Sequence, residues 1–313
     1  MVKLGVTVLV TTLAAVVAGF LRRRRRALPA RGWIGIAILA CAELLMFRRV
    51  EPVATYFTPI AWTAYLLVAD AALFALTGRS PMRDAPRQFA RLALLSIPLW
   101  LIFEAYNLRL NNWEYVGLPR NPAARWLGYG WSFATIFPAL LLTAEVVAAL
   151  GWFSRMGRPW RISRATENLV MALGAAFLIA PVALPQRIGA HLFGLVWVGF
   201  ALLLDPLLKR KGAASLLGEM ARGDYTRIAS LLVSGWTCGW LWEFWNCWAV
   251  AKWHYIFPMF EQWKIFEMPV PGYLGFPAFA VESYVMYVLA ARLLGWPALF
   301  TSRAEPVREE QPA

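Results

Sequence analysis

Histidine is nearly absent from this chain: among 313 residues only His191 and His254 occur. Two are too few for histidine-rich di-iron or zinc chemistry, and no metal or cofactor is expected. Cysteine is almost as scarce. Cys41, Cys238 and Cys247 lie in or beside apolar segments, and an odd number without paired spacing implies no disulfide framework. No Asp-x-x-x-Asp pair is present to hold a magnesium-bound diphosphate, which argues against a prenyltransferase. Charge is sparse as well. Only 16% of residues are charged and 60% are hydrophobic, against about 25% and roughly 45–50% in soluble domains. A soluble protein of this length could not bury so much apolar surface in one core. The solvent for most of the chain is lipid.

What is present is a set of long apolar runs bounded by basic loops. Segments long enough to cross a bilayer fall at 2–20, 33–47, 57–77, 89–107, 128–150, 167–184, 189–208, 226–250 and 272–295. The pair 167–184 and 189–208 forms a hairpin closed by Leu184-Pro185-Gln186-Arg187. The net charge of +13 does not imply a nucleic-acid partner, because the basic residues sit in short loops and no soluble basic face is available. Five consecutive arginines, Arg22 to Arg26, follow the first span. A cleaved signal peptide has its charge before the apolar run, so span one reads as a retained anchor with its N-terminus outside. Alternating the spans then places 22 of the 31 Lys and Arg residues on one side and nine on the other. The positive-inside rule makes the richer side cytoplasmic, together with the C-terminus. The expected location is a bacterial inner membrane, and the first partner is membrane lipid. The sequence leaves the oligomeric state open.

The chain repeats itself. Trp62 stands eight residues before Asp70, and Trp197 eight before Asp205. Phe103-Glu104-Ala105-Tyr106-Asn107 aligns with Trp242-Glu243-Phe244-Trp245-Asn246. Trp113-Glu114-Tyr115 answers Trp253-His254-Tyr255, and Trp126-Leu127-Gly128-Tyr129 answers Tyr273-Leu274-Gly275-Phe276. The separations of 135, 139, 140 and 147 residues drift only as loop insertions would. The expected fold is an all-α polytopic membrane bundle of about nine helices. It divides into an N-terminal anchor helix and polybasic loop (1–31), a first four-helix repeat (32–152), a second (153–300) and a disordered tail (301–313). Four spans per unit is an even number, so the copies run parallel and their pseudo-twofold axis lies along the membrane normal.

Seven acids fall within the spans: Glu43, Asp70, Glu104, Glu145, Asp205, Glu243 and Glu282. Each costs about 2.5–3.5 kcal/mol at mid-bilayer on insertion scales, so such residues usually face an interior. Glu104 and Glu243 are repeated, with Asn107 and Asn246 three residues after each. That spacing shares a helix face, where the Asn amide would orient the carboxyl. A carboxyl taken out of water favours its neutral form and can then work as a general acid. The plainer alternative is a hydrogen bond that holds helices together. Residues 236–263 also hold seven tryptophans. Trp253 and Trp263 fit an interfacial belt, whereas Trp240, Trp242 and Trp245 lie deeper. Ring faces attract cations, so aromatics beside a proton donor suit carbocation chemistry and equally suit apolar ligand binding. The stretch 266–277, with three prolines and two glycines after Phe266-Glu267, cannot continue a helix. It reads either as an outer lid leading Glu282 into the bundle or as a surface loop.

The run Trp242-Glu243, Trp253-His254-Tyr255, Pro258, a Gly/Pro-rich turn and then Glu282 resembles the integral-membrane lycopene cyclase domain. That family occurs in two-part bacterial and fused fungal carotenoid enzymes. It also joins two related helical units, and its last helix opens with a Pro-x-Glu-Glu motif. Here Pro277-Ala278-Phe279-Ala280-Val281-Glu282 stands in that place with a single, deeper acid, and Thr135 occupies the position of Glu282 in the first unit. The resemblance implies a cofactor-free cyclase or isomerase of carotenoid biosynthesis, acting on a carotenoid or another isoprenoid by proton-initiated chemistry. Glu243, Glu282 and Glu104 would be its acids and Asn246 and Asn107 its orienting amides. Trp240, Trp245, Trp253, Tyr255 and Trp113 would bind the lipid-soluble substrate. Two other classes remain open: a proton-coupled carrier, which parallel repeats and buried acids also permit, and a non-enzymatic scaffold. Acids converging on an aromatic pocket favour the enzyme, and a polar path open to one side favours transport.

Overall fold

A computed structural model describes residues 1–153 and 157–301. The tail expected to be disordered lies, from residue 302 on, outside the described residues. Twelve α-helices are found among them. Nine are long: α1 Val2–Arg23, α2 Ala30–Phe47, α3 Phe57–Thr77, α5 Pro86–Leu110, α6 Pro122–Ala149, α7 Arg164–Ala183, α9 Phe193–Arg210, α11 Thr226–Trp248 and α12 Gly275–Leu293. Three are short and lie in the connections: α4 Pro81–Asp84, α8 Gln186–Gly189 and α10 Leu216–Met220. Four short strands complete the chain: β1 Trp113–Val116, β2 Lys252–Tyr255, β3 Lys264–Ile265 and β4 Met268–Pro269.

Helix boundaries follow local chemistry. Pro86 and Pro122 begin α5 and α6, where a missing N–H costs nothing. The Asn121 and Ser163 side chains cap α6 and α7 by accepting from backbone N–H groups one turn in. Helix α2 starts at Ala30, three residues before the apolar run that announces it, because Pro29 fixes the entry.

Among the described residues, eight helices are long and apolar enough to cross a membrane, one fewer than the nine spans expected. The exception is α11. Its 23 residues would extend about 34 Å, enough for a bilayer, but its composition is too polar. The polar groups are turned inward: Ser230, Ser234, Thr237, Glu243 and Asn246 are all buried. Helix α1, by contrast, buries only Gly5, Leu9 and Gly19, and packs mainly against α11. The most enclosed helices are α3, α6, α11 and α12.

The same three helix pairs pack in each half. Helix α2 lies on α3, α3 on α6, and α5 on α6; correspondingly α7 lies on α9, α9 on α12, and α11 on α12. Equivalent connections are tied alike. Asp70 accepts from the Ser80 hydroxyl (2.6 Å) and the Met82 N–H (3.1 Å), and Asp205 accepts from the N–H groups of Leu216 and Leu217 (2.7 and 2.8 Å). Ser80 and Ser215 cap α4 and α10. Both aspartates therefore hold a loop against the end of a helix. Asp70 also pairs with Arg31 at 2.8 Å.

The two halves meet in a ladder. Strands β1 and β2 are antiparallel, with Trp113 opposite Tyr255, Glu114 opposite His254 and Tyr115 opposite Trp253. The motifs aligned by sequence thus pair with each other. Beyond β2, residues 264–274 fold back over α11. Tyr273 stacks on Trp240 with ring centroids 4.0 Å apart and donates to the Ile265 carbonyl. Glu267 accepts from Lys252 (2.9 Å) and lies 2.8 Å from His254 Nδ1. This segment is a packed cover and not a loose surface loop.

Candidate functional site

Each half places one glutamate behind one tyrosine. Tyr115, on β1, donates to Glu104 Oε1 at 2.5 Å. Tyr255, on β2, donates to Glu243 Oε1 at 3.0 Å. The strands come between spans, and the helix bearing the glutamate runs directly into its own strand. Both phenols are pushed well above their ordinary range, first by burial and then by the neighbouring glutamate. They stay protonated at neutral pH and act as donors.

The asparagines do something other than expected. Asn107 lies in the last turn of α5, and the chain reverses at Asn111, whose φ is 55°. That reversal brings the N–H of Asn112 and of Trp113 onto Asn107 Oδ1 (2.8 and 3.1 Å), while Asn107 Nδ2 donates to the Trp113 carbonyl at 2.8 Å. Asn246 grips Trp253 in the same way, at 3.0 and 2.9 Å. Neither amide holds its glutamate. Each fixes the strand whose tyrosine does.

The two glutamates differ in their surroundings. Glu104 Oε1 also accepts from the indoles of Trp100 (2.8 Å) and Trp113 (3.4 Å). Gly239 stands where the repeat would put a second Trp100, and a Cβ there would overlap the Phe276 ring. Glu243 is fully buried, and its Oε2 has no partner among the described residues. No cation pairs with Glu104 or Glu243 among those residues.

Both tyrosines line one cavity of about 130 Å3. Its wall is mostly aromatic and comes from both halves: Trp62, Trp100, Trp113, Tyr129, Trp197, Trp242, Trp253, Phe276 and Phe279 join them. An apolar cavity of about 150 Å3 takes a benzene ring, so this one is about the size of a single ring.

Of the residues expected to bind substrate, Trp113, Trp253 and Tyr255 line the cavity. Trp240 and Trp245 do not: Trp240 is covered by Tyr273, and Trp245 packs on Trp62 and donates to Glu43 at 3.1 Å. Of the expected acids, Glu104 and Glu243 stand one side chain behind the wall. Glu282 is elsewhere, buried between α12 and α9, where its Oε1 accepts from the Phe200 N–H at 2.8 Å. The three acids do not converge on one pocket. The unanticipated wall residues carried a signal, since Trp62 and Trp197, and Tyr129 and Phe276, are repeat partners that meet around the same space.

A second, polar cavity of about 1110 Å3 opens at the opposite ends of α3, α6 and α11, on the arginine-rich side. None of the repeated glutamates lines it. Between the cavities, Tyr65 and Thr143 share a hydrogen bond of 2.7 Å beside the buried Cys238.

No family model matches the chain, and no curated protein or solved structure matches it.

Proposed function

We propose that this chain is an integral-membrane cyclase or isomerase that protonates the end group of an isoprenoid, a carotenoid being one candidate, held in the aromatic cavity. The reading rests on one observation: Tyr115 and Tyr255 stand in the wall of a shared aromatic pocket with Glu104 and Glu243 directly behind them. The chain is taken as a duplicated four-helix unit with α11 as its ninth span, and the arginine-rich face as cytoplasmic.

In this scheme Glu243 supplies the proton. Its hydrogen bond to Tyr255 reverses: the glutamic acid O–H donates to the phenol oxygen while the phenol O–H turns to the substrate alkene. The phenol proton forms a C–H bond with the alkene π electrons as the glutamic acid proton replaces it, so no phenolate forms. The resulting tertiary cation is stabilised by the ring faces around it. A second double bond of the same chain attacks it and closes a ring. Loss of a proton from the adjacent carbon then gives an isomer of unchanged mass. Glu243, left as the carboxylate, takes that proton back by way of Tyr255, so each turnover ends with the acid as it began. No external oxidant or reductant is consumed.

The test is lipid extraction from cells with and without the chain, compared by chromatography and mass spectrometry. A new species of unchanged mass that is lost with Glu243→Gln supports the reading. An unaltered lipid profile in cells supplied with linear polyenes counts against it. A carrier is the second reading, favoured by the two cavities at opposite ends of α3, α6 and α11. Uptake or efflux of a lipid-soluble solute without chemical change would distinguish it.

A further inference from the structure

The polar cavity is independent of the glutamate–tyrosine pairs and lies where the chain turns from lipid to the arginine-rich surface. Five arginines line it: Arg23 at the end of α1, Arg25 and Arg26 just after it, Arg79 after α3, and Arg227 at the start of α11. Arg227 is already held, with Glu219 Oε1 at 2.8 Å and Glu145 Oε1 at 3.4 Å. Of the other acids in the wall, Asp84 pairs with Arg83, which lies outside the cavity, and Asp224 accepts from the Thr226 N–H at 3.0 Å. The Arg23, Arg25, Arg26 and Arg79 guanidinium groups have no acid at ion-pair distance among the described residues.

The same wall contains Ser230 and Tyr284, each 1% exposed, with the Arg227 guanidinium 5.1 Å from the centre of the Tyr284 ring. Their hydroxyls have no hydrogen-bond partner among the described residues. Buried hydroxyls without partners cost about 1–3 kcal/mol each, and here two of them share a wall with guanidinium groups that have no ion pair among the described residues, Arg26 lying over the Phe74 ring. A tetrahedral oxyanion answers both needs, since arginine forks bind phosphate oxygens bidentately and hydroxyls donate to them. Basic pockets between helices on this side of a membrane are suited to anionic head groups.

We propose that this cavity binds a phosphate or diphosphate group, as a lipid head group or as the soluble anion, between the arginines after α1 and the Ser230–Tyr284 floor. The whole chain, purified in detergent, is titrated with pyrophosphate at constant ionic strength. In parallel it is placed in nanodiscs of phosphatidylcholine with or without phosphatidylglycerol, and retained lipid is counted by native mass spectrometry. Saturable pyrophosphate binding assigns the soluble anion, and retention of phosphatidylglycerol alone assigns the head group. Either result requires three further outcomes. The triple variant Arg25→Gln, Arg26→Gln, Arg79→Gln weakens binding about tenfold or more, as loss of charge-assisted hydrogen bonds should. The control Arg22→Gln, Arg24→Gln, in the same basic run but outside the cavity wall, changes it less than about twofold. Ser230→Ala with Tyr284→Phe weakens binding without lowering the unliganded thermal midpoint, because the hydroxyls removed have no partner to lose. Equal losses in the two arginine sets, or no saturable binding of either probe by the unaltered chain, overturn the proposal.

Discussion

Trp113 and Tyr255 face each other across the β1–β2 ladder, one from each half of the chain. The pairing is the one a twofold axis would produce, because Trp253 and Tyr115 face each other two residues away. It also delivers two tyrosines to a single cavity, each with its glutamate behind.

Glu243→Gln is expected to lower turnover by about 100-fold or more, the usual contribution of a positioned acid. Assembled protein should stay near normal, because the amide still accepts from Tyr255. Quantifying product per unit of purified protein separates the two effects. Equal loss of product and of folded protein would instead mark a structural hydrogen bond.

Tyr255→Phe and Tyr115→Phe together should flatten the alkaline limb of the stability profile. Both phenols have folded pKa values well above the ordinary 10.0. The unfolded chain therefore loses these protons first as the pH rises, and stability falls above pH 10. Thermal unfolding in detergent between pH 9 and about 11 should show that fall in the unaltered chain and less of it in the double variant.

Asn107→Ala and Asn246→Ala should each destabilise by about 1–3 kcal/mol, since buried strand N–H groups lose their acceptor. The Asn107 cost should be the larger, because its Oδ1 accepts from the N–H groups of both Asn112 and Trp113, whereas Asn246 Oδ1 accepts from Trp253 alone. Denaturant titration in mixed micelles measures them.

Asp70→Asn should cost more than Asp205→Asn. Both carboxylates accept from a following loop, but only Asp70 also neutralises a partly buried arginine. Breaking such a pair costs about 3–5 kcal/mol when burial is complete. Comparing the two thermal midpoints decides it.

Gly239→Leu should disrupt the seam between α11 and α12, where the Phe276 ring already fills the space beside the glycine. Overpacking costs about 1–3 kcal/mol, and close helix approach through small residues leaves little room for adjustment. Protease sensitivity of the purified variant reports it.

Most of the helices were legible in the sequence, because an unbroken apolar run of bilayer length has no stable place in water. The paired motifs were legible too, through tryptophans and acids spaced alike. Helix α11 shows the limit of hydropathy: Trp, Asn, Glu and Ser lower it although their side chains are buried by neighbours. The asparagines show the limit of periodicity. Glu104 and Asn107 do share a helix face, but the acceptor on Asn107 is claimed by backbone that returns only after Asn111 reverses the chain. Glu282 shows the limit of depth, since a central acid can serve a neighbouring helix instead of a cavity. The cavity wall needed both halves in place at once, and no local pattern specifies which face of one unit meets the other.

The ladder has a consequence for how the two halves are joined. With β1 zipped to β2 and α6 packed on α11, the covalent linker between residues 150 and 163 is not the only thing keeping them side by side. Cut there and made as two polypeptides, the halves would carry complementary edges by which to find each other.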